Sequence, residues 1–60
     1  MFKINDMVRI KIDVYINKKR VLKYGDLVVI LGMGYPDKDL CVGTSDDRIY
    51  YIDDYQVEEE

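Results

Sequence analysis

The sequence contains no histidine, no tryptophan and no alanine, and Cys41 is its single cysteine. Without histidine the chain lacks the side chain used most often as a general base, and no other residues pair a nucleophile with an adjacent base. A single cysteine cannot form a disulfide within the chain, which favours a reducing compartment. We therefore expect no enzymatic activity, no catalytic residue and a cytoplasmic setting.

Long apolar runs are also absent. No run approaches the roughly 20 apolar residues that a membrane span needs. Lys3, Asp6 and Arg9 interrupt the N-terminal stretch, so it does not resemble a signal peptide. We therefore expect no membrane partner.

The segment 32–34, Gly-Met-Gly, follows an apolar run, as the phosphate loop of a dinucleotide site does. The third glycine of that fingerprint is missing, and Asp37 in its place would repel phosphate. The paired aspartates at 37 and 39, 46–47 and 53–54 lack the spacing of a calcium loop. We expect no cofactor and no metal ion.

β-branched and aromatic residues dominate what is present: the chain has seven isoleucines, seven valines and six tyrosines among 60 residues. These types pack well on a pleated sheet and are restricted in helices, so the composition predicts an all-β fold. A chain of this length forms one domain with a thin core. The many Lys, Ile, Asp and Tyr residues without alanine suggest an AT-rich genome, which we interpret as that of a low-GC bacterium or its phage.

Strand patterns follow one another along the chain. Residues 7–16 alternate between apolar and polar, which predicts one half-buried strand, and a polar loop is expected at 17–20. The unbroken apolar run 27–31 is typical of a strand buried on both faces. Shorter strands are expected at 40–44, 48–52 and 56–58, with one helical turn at 53–55. The expected core consists of Val8, Ile10, Ile12, Leu27, Val29, Leu31, Leu40, Val42, Ile49 and Val57.

The order of these segments resembles the SH3-like small β-barrel. The stretch FKINDMVRIKI is followed by a long loop, then YGDLVVILGMG, then LCVGTSDDRIYYIDDYQVEE. The resemblance is one of layout and identifies no particular family within that fold. It implies a five-stranded barrel over residues 1–58 with a short 3₁₀ turn before the last strand, followed by an acidic tail at 59–60. The groove tryptophan of signalling SH3 domains is absent, which argues against a proline-rich ligand.

Charge is divided unevenly along the sequence. Residues 1–23 carry seven basic and two acidic side chains, a balance of +5, whereas residues 24–60 carry two basic and ten acidic ones, a balance of −8. The basic cluster could bind nucleic acid, with Tyr15 and Tyr24 stacking on bases. The residues assigned to that alternative are Lys18, Lys19, Arg20 and Lys23.

Tyrosine is favoured at protein interfaces because it offers a large contact area at low entropic cost. The expected protein-binding residues are Tyr35, Tyr50, Tyr55, Asp46, Asp47, Asp53 and Asp54. The leading hypothesis is therefore a non-enzymatic protein-interaction module, such as a small phage or bacterial protein that modulates or inhibits a host protein. Its aspartates could stand in for phosphates, and an open edge strand could also support a homodimer.

Overall fold

The computed structural model describes residues 2–60, and these form an all-β chain, as predicted. No helix in this range is long and apolar enough to cross a membrane. A single 3₁₀ turn covers Asp54–Gln56, one residue later than expected. The seven strands are β1 (Met7–Ile10), β2 (Val14–Ile16), β3 (Lys19–Leu22), β4 (Leu27–Met33), β5 (Leu40–Gly43), β6 (Ile49–Ile52) and β7 (Val57–Glu59).

Five of the strands form one antiparallel sheet in the order β6-β5-β4-β1-β7. The remaining two, β2 and β3, pair only with each other as a hairpin. The expected number of five strands thus describes the larger sheet but not the whole chain. Neither sheet closes on itself within residues 2–60.

The predicted strand over 7–16 is in fact two strands, because the chain bends at residues 11–13. The Asp13 carboxylate holds this bend by accepting the Tyr24 backbone N–H at 2.7 Å and pairing with Arg20 at 3.4 Å. The bend turns Ile12 outward and brings Val14 into the core. The prediction that Ile12 is a core residue was therefore wrong.

A two-residue turn joins β2 to β3. Asn17 and Lys18 have φ values of 53° and 67°, and Ile16 pairs directly with Lys19. Positive φ at both central positions is the feature of a type I′ turn, whose twist matches that of the flanking strands. The polar loop expected at 17–20 is shorter than predicted, because Lys19 and Arg20 already belong to β3.

Strand β4 alternates between buried and exposed residues, although its sequence is uniformly apolar. Val28 and Ile30 are buried, whereas Leu27 and Leu31 are exposed and Val29 is half-buried. A bulge between Ile30 and Gly32 then shifts the register against β5. The prediction of a strand buried on both faces was wrong, and Leu27, Val29 and Leu31 are not core residues.

The core lies between one face of the larger sheet and the β2–β3 hairpin, and no polar side chain is buried within residues 2–60. Ile52 takes the place expected for Ile49, which is exposed. The buried cluster consists of Val8, Ile10, Val14, Leu22, Val28, Ile30, Leu40, Val42, Ile52 and Val57.

The C-terminal segment returns to the first strand. The Asp53 backbone N–H donates to Gln56 Oε1 at 2.9 Å, which fixes the 3₁₀ turn. Val57 then pairs with Ile10, and Glu59, expected in a tail, pairs with Val8 within β7. The Glu60 carboxylate forms an ion pair with Arg9 at 2.8 Å.

Candidate functional site

Beyond the core, the larger sheet has a second, solvent-facing apolar surface, which we call the outer face. Register places Met7, Val29, Gly43 and Ile49 in one row across four strands. Large exposed side chains surround this row, so the sheet is apolar on both sides but covered by the chain on only one. The outer face consists of Met7, Leu27, Val29, Leu31, Tyr35, Ile49 and Tyr51.

Two glycines shape this surface. A Cβ atom at Gly43 would lie 2.9 Å from Leu31 Cδ1, and one at Gly32 would overlap the Tyr35 hydroxyl. Leu31 and Tyr35 therefore lie directly over bare backbone on neighbouring strands. Because the glycines provide this room, Leu31 and Tyr35 lie down on the sheet and cover backbone that the outer face would otherwise expose.

The tyrosines of the outer face contact one another. The rings of Tyr35 and Tyr51 meet edge to face, with centroids 5.1 Å apart and planes at 87°. Aromatic pairs of this geometry contribute about 0.5–1.5 kcal/mol beyond their buried area. The neighbouring Cys41 and, less strongly, Tyr35 raise the pKa of Tyr51, because they disfavour a negative charge on its phenol oxygen.

The predicted binding tyrosines occupy three different environments. Tyr35 belongs to the outer face, whereas Tyr50 packs against the core and, as a neighbour of Arg48, raises the pKa of that guanidinium. Tyr55 is exposed on the 3₁₀ turn. Tyr51 was missed by the sequence reasoning, although its position next to Tyr50 on a strand required one of the two rings to face outward.

The predicted binding aspartates fall into two groups at opposite ends of β6. In the β5–β6 turn, Asp46 accepts a hydrogen bond from the Thr44 hydroxyl, which lowers the pKa of Asp46, and pairs with Arg48 at 3.2 Å. Asp47 adopts φ 66° in the same turn. The structure therefore does not gather all four aspartates into one acidic row.

At the other end of β6, the second aspartate pair contacts the β4–β5 loop. Asp53 pairs with Lys38 at 3.4 Å, and the Asp54 backbone N–H donates to Asp39 Oδ2 at 3.1 Å. These contacts are exposed and tie the 3₁₀ turn to the loop. No group of acidic residues within 2–60 is arranged to hold a metal ion.

The edge of β6 that faces away from β5 has no neighbouring strand within residues 2–60, and we call it the open edge. Residues 48, 50 and 52 direct their backbone groups toward β5, as the 2.9 Å bond from the Thr44 N–H to the Arg48 carbonyl and the register show. In an antiparallel ladder the intervening residues, Ile49 and Tyr51, direct theirs the other way. No strand within residues 2–60 pairs with that edge.

The basic residues lie on the β2–β3 hairpin and just after it. Lys18, Lys19 and Lys23 are exposed, while Arg20 is partly engaged by Asp13. Tyr15 and Tyr24 are 60% and 71% exposed, so both rings are available beside these cations. This second surface lies away from the outer face, on the element that covers the core.

A groove of about 760 Å³ runs between β3, the start of β4 and the β5–β6 turn. Its lining includes Val21, Leu22 and Tyr50, the charged Asp46 and Arg48, and three residues of the outer face, Met7, Leu27 and Val29. No protein-family model, curated protein or solved structure matches this chain. Functional inference therefore depends on these surfaces alone.

Proposed function

We propose that this chain is a non-enzymatic protein-interaction module that binds a partner protein through its outer face. The observation that carries the proposal is the apolar surface on the side of the sheet opposite the core. A fully exposed large side chain carries on the order of 200 Å², and six members of the outer face are exposed by 39–59%. Together they present roughly 600 Å², the upper end of the largest apolar patches on monomers.

The charges around the outer face indicate the chemistry of the partner. Acidic side chains outnumber basic ones in the strands and turns that border this surface, and the basic residues there, Arg9, Lys38 and Arg48, are already paired with carboxylates. An apolar partner surface with a basic rim would complement this arrangement. The border residues are Asp37, Asp39, Asp46, Asp47, Glu58 and Glu60 against Arg9, Lys38 and Arg48.

We also propose that the fold is an SH3-like small barrel. The strand order supports this, because β1 is followed by the β2–β3 hairpin, a β4–β5–β6 meander, a 3₁₀ turn and a last strand beside β1. The role of inhibiting a host protein stays a prediction. The outer face supplies a binding surface for that role, whereas phosphate mimicry would have to use two separated aspartate pairs.

Affinity capture from a lysate with matched variants tests the proposal. Leu31→Lys places a charge at the centre of the outer face, and Ile12→Lys makes the same change at an exposed apolar residue elsewhere. We expect a partner that survives nuclease treatment, is retained by wild type and Ile12→Lys, and is lost with Leu31→Lys. A partner lost equally with both variants, or no nuclease-resistant partner at all, would contradict the proposal.

A second candidate function is binding of single-stranded nucleic acid by the hairpin, favoured by the exposure of Tyr15 and Tyr24 beside Lys18 and Lys19. Cations would contact phosphates while the rings stack on bases. With about four phosphate contacts, affinity should fall roughly 50-fold between 50 and 200 mM salt.

Fluorescence anisotropy with a labelled oligonucleotide measures this binding. We expect the double variant Lys18→Glu, Lys19→Glu to abolish it and Lys11→Glu, an exposed lysine outside the hairpin, to preserve it. Affinity that is insensitive to salt or to the double variant would rule out this candidate.

A further inference from the structure

We infer that the open edge of β6 pairs with β6 of a second copy of this chain, forming an antiparallel, two-fold symmetric dimer. This inference rests on the proposed function, because it identifies one partner of the interaction module. It uses a different part of the chain from the centre of the outer face: the backbone of Ile49 and Tyr51 at the sheet edge.

Strand β6 carries none of the residues that usually protect an exposed edge. Edge strands are blunted by charged side chains, proline, a bulge or very short length, and β6 has only the last of these, with four residues. Strand β6 reads Ile-Tyr-Tyr-Ile, with no charge, no proline and a regular register against β5. At the opposite edge of the sheet, β7 reads Val-Glu-Glu and carries two charges. The two edge strands of the sheet therefore differ in composition, and of the two it is β7 that carries charges that oppose pairing.

The open edge of β6 is complementary to itself in hydrogen bonding. Each copy presents two N–H groups and two carbonyls on the open edge, from Ile49 and Tyr51. If Ile49 faces Tyr51 of the second copy, all of these groups pair in four hydrogen bonds. A register centred on Tyr51 would instead pair Ile49 with Asp53, whose N–H is already donated to Gln56. The first register therefore leaves no open-edge group unused.

The charged residues at the ends of β6 do not contribute to the pairing. In this register Arg48 faces Ile52 of the second copy, and Asp47 rather than Arg48 comes opposite Asp53. The ends therefore carry like charges, and the pairing depends on the backbone bonds and the apolar side chains.

The side chains agree with this register. Tyr50 lies on the two-fold axis opposite Tyr50 of the second copy, on the side where Tyr50 lines the groove. On the other side, Ile49 meets Tyr51 of the second copy. The two outer faces then form one continuous apolar surface, with Leu31 and Tyr35 of each copy remaining accessible.

Measuring the mass of the protein in solution tests the pairing. Sedimentation or light scattering gives this mass over a concentration series up to 0.5 mM. We expect twice the 7.1 kDa mass of the chain at high concentration. Ile49→Pro removes an N–H that the larger sheet does not use, so the fold is retained. It removes two of the four intermolecular bonds and should raise the dimer dissociation constant at least about tenfold. Ile49→Lys, which keeps the N–H, should have a similar effect by charge repulsion.

A disulfide test checks the register. In a Cys41→Ala background, Tyr50→Cys should form an intermolecular disulfide under mild oxidation, since directly opposed residues of a non-hydrogen-bonded pair have Cα atoms about 4.5 Å apart. Arg48→Cys should not, because it faces Ile52 of the second copy. Circular dichroism verifies that each variant is folded.

Three results would overturn the inference: a monomer at every concentration, a dimer unaffected by both Ile49 variants, or equal crosslinking by Arg48→Cys. The variant Leu31→Lys separates failure of the self-pairing from failure of the proposed function. It should remain dimeric, because Leu31 lies outside the β6 contact. A monomeric chain that still captures a partner dependent on Leu31 rejects self-pairing and leaves the proposed function in place. A dimer without any other partner supports self-pairing alone.

Discussion

Gly32 is the residue on which the outer face depends most directly, because its missing side chain leaves room for the Tyr35 hydroxyl. Gly32→Ala should displace the Tyr35 ring from its edge-to-face contact with Tyr51. We expect the free energy of unfolding to fall by about 1 kcal/mol, the usual value of such a contact. Urea unfolding measures the change.

A double-mutant cycle controls this prediction. In a Tyr35→Ala background the overlap no longer exists, so Gly32→Ala should have little effect there. If Gly32→Ala is equally destabilising in both backgrounds, the glycine is needed for its backbone and not for the tyrosine.

At the scale of elements, the turn of the β2–β3 hairpin holds a lysine in a backbone conformation that favours glycine. Lys18 has φ 67°, a left-handed conformation that costs a residue with a Cβ atom about 1 kcal/mol, and glycine adopts it freely. Lys18→Gly should therefore raise the free energy of unfolding by about 1 kcal/mol. Thermal or urea unfolding at fixed salt measures it.

The adjacent lysine provides the matched control. Lys19→Gly removes the same charge from a strand position, where glycine is destabilising by about 0.5–1 kcal/mol. We expect Lys18→Gly to raise the free energy of unfolding and Lys19→Gly to lower it. The same sign for both would mean that charge, and not turn geometry, determines the effect.

Strand β4 gives the second prediction at this scale. Ile30 is fully buried, whereas Leu31 is 42% exposed on the outer face. Ile30→Ala should lower the free energy of unfolding by about 3 kcal/mol because it leaves a cavity, and Leu31→Ala by less than about 1 kcal/mol. Comparable losses in denaturant unfolding would mean that Leu31 is covered, as it would be in a dimer that buries the outer face.

This strand also shows what the sequence could predict. Val8 and Ile10 were assigned correctly because polar Arg9 lies between them and marks the exposed side. The run from Leu27 to Leu31 contains no polar residue, so nothing in it indicates which residues face the core. A chain of 60 residues has one core, and the second apolar face of β4 is therefore left in solvent.

Errors elsewhere came from backbone geometry that residue types do not reveal. Ile12 continued the alternation of β1, but the bend held by Asp13 ended the strand at Ile10. At β6, Ile52 pairs with the core residue Leu40 and is buried, whereas Ile49 pairs with Gly43 and is exposed. The outer face could have been anticipated only by asking what covers a second apolar side of β4.

At the scale of the whole molecule, β7 connects the two ends of the sequence. Val57 is a core residue beside Ile10, and Glu60 forms an exposed ion pair with Arg9. Removing Glu60 alone should lower the free energy of unfolding by less than about 1 kcal/mol, as exposed pairs do. Truncation after Gln56 removes Val57 and the hydrogen bonds of β1 to β7, and it should unfold the chain.

Circular dichroism with urea titration distinguishes these outcomes. A folded chain after truncation at Gln56 would show that β7 contributes little to the sheet. A large loss on removing Glu60 alone would show that its ion pair with Arg9, and not the strand, secures the C-terminal end.

The position of β7 has a consequence for the protein during its synthesis. Strand β1 is made early but acquires β7 as a neighbour only when Val57–Glu59 have been translated. Until then the nascent chain exposes one apolar strand edge at β1 and, once β6 is made, a second at the other side of the sheet. Until β7 has been made and has paired with β1, the chain is thus open to premature association with neighbouring nascent chains, and the pairing of β7 closes one of these two edges.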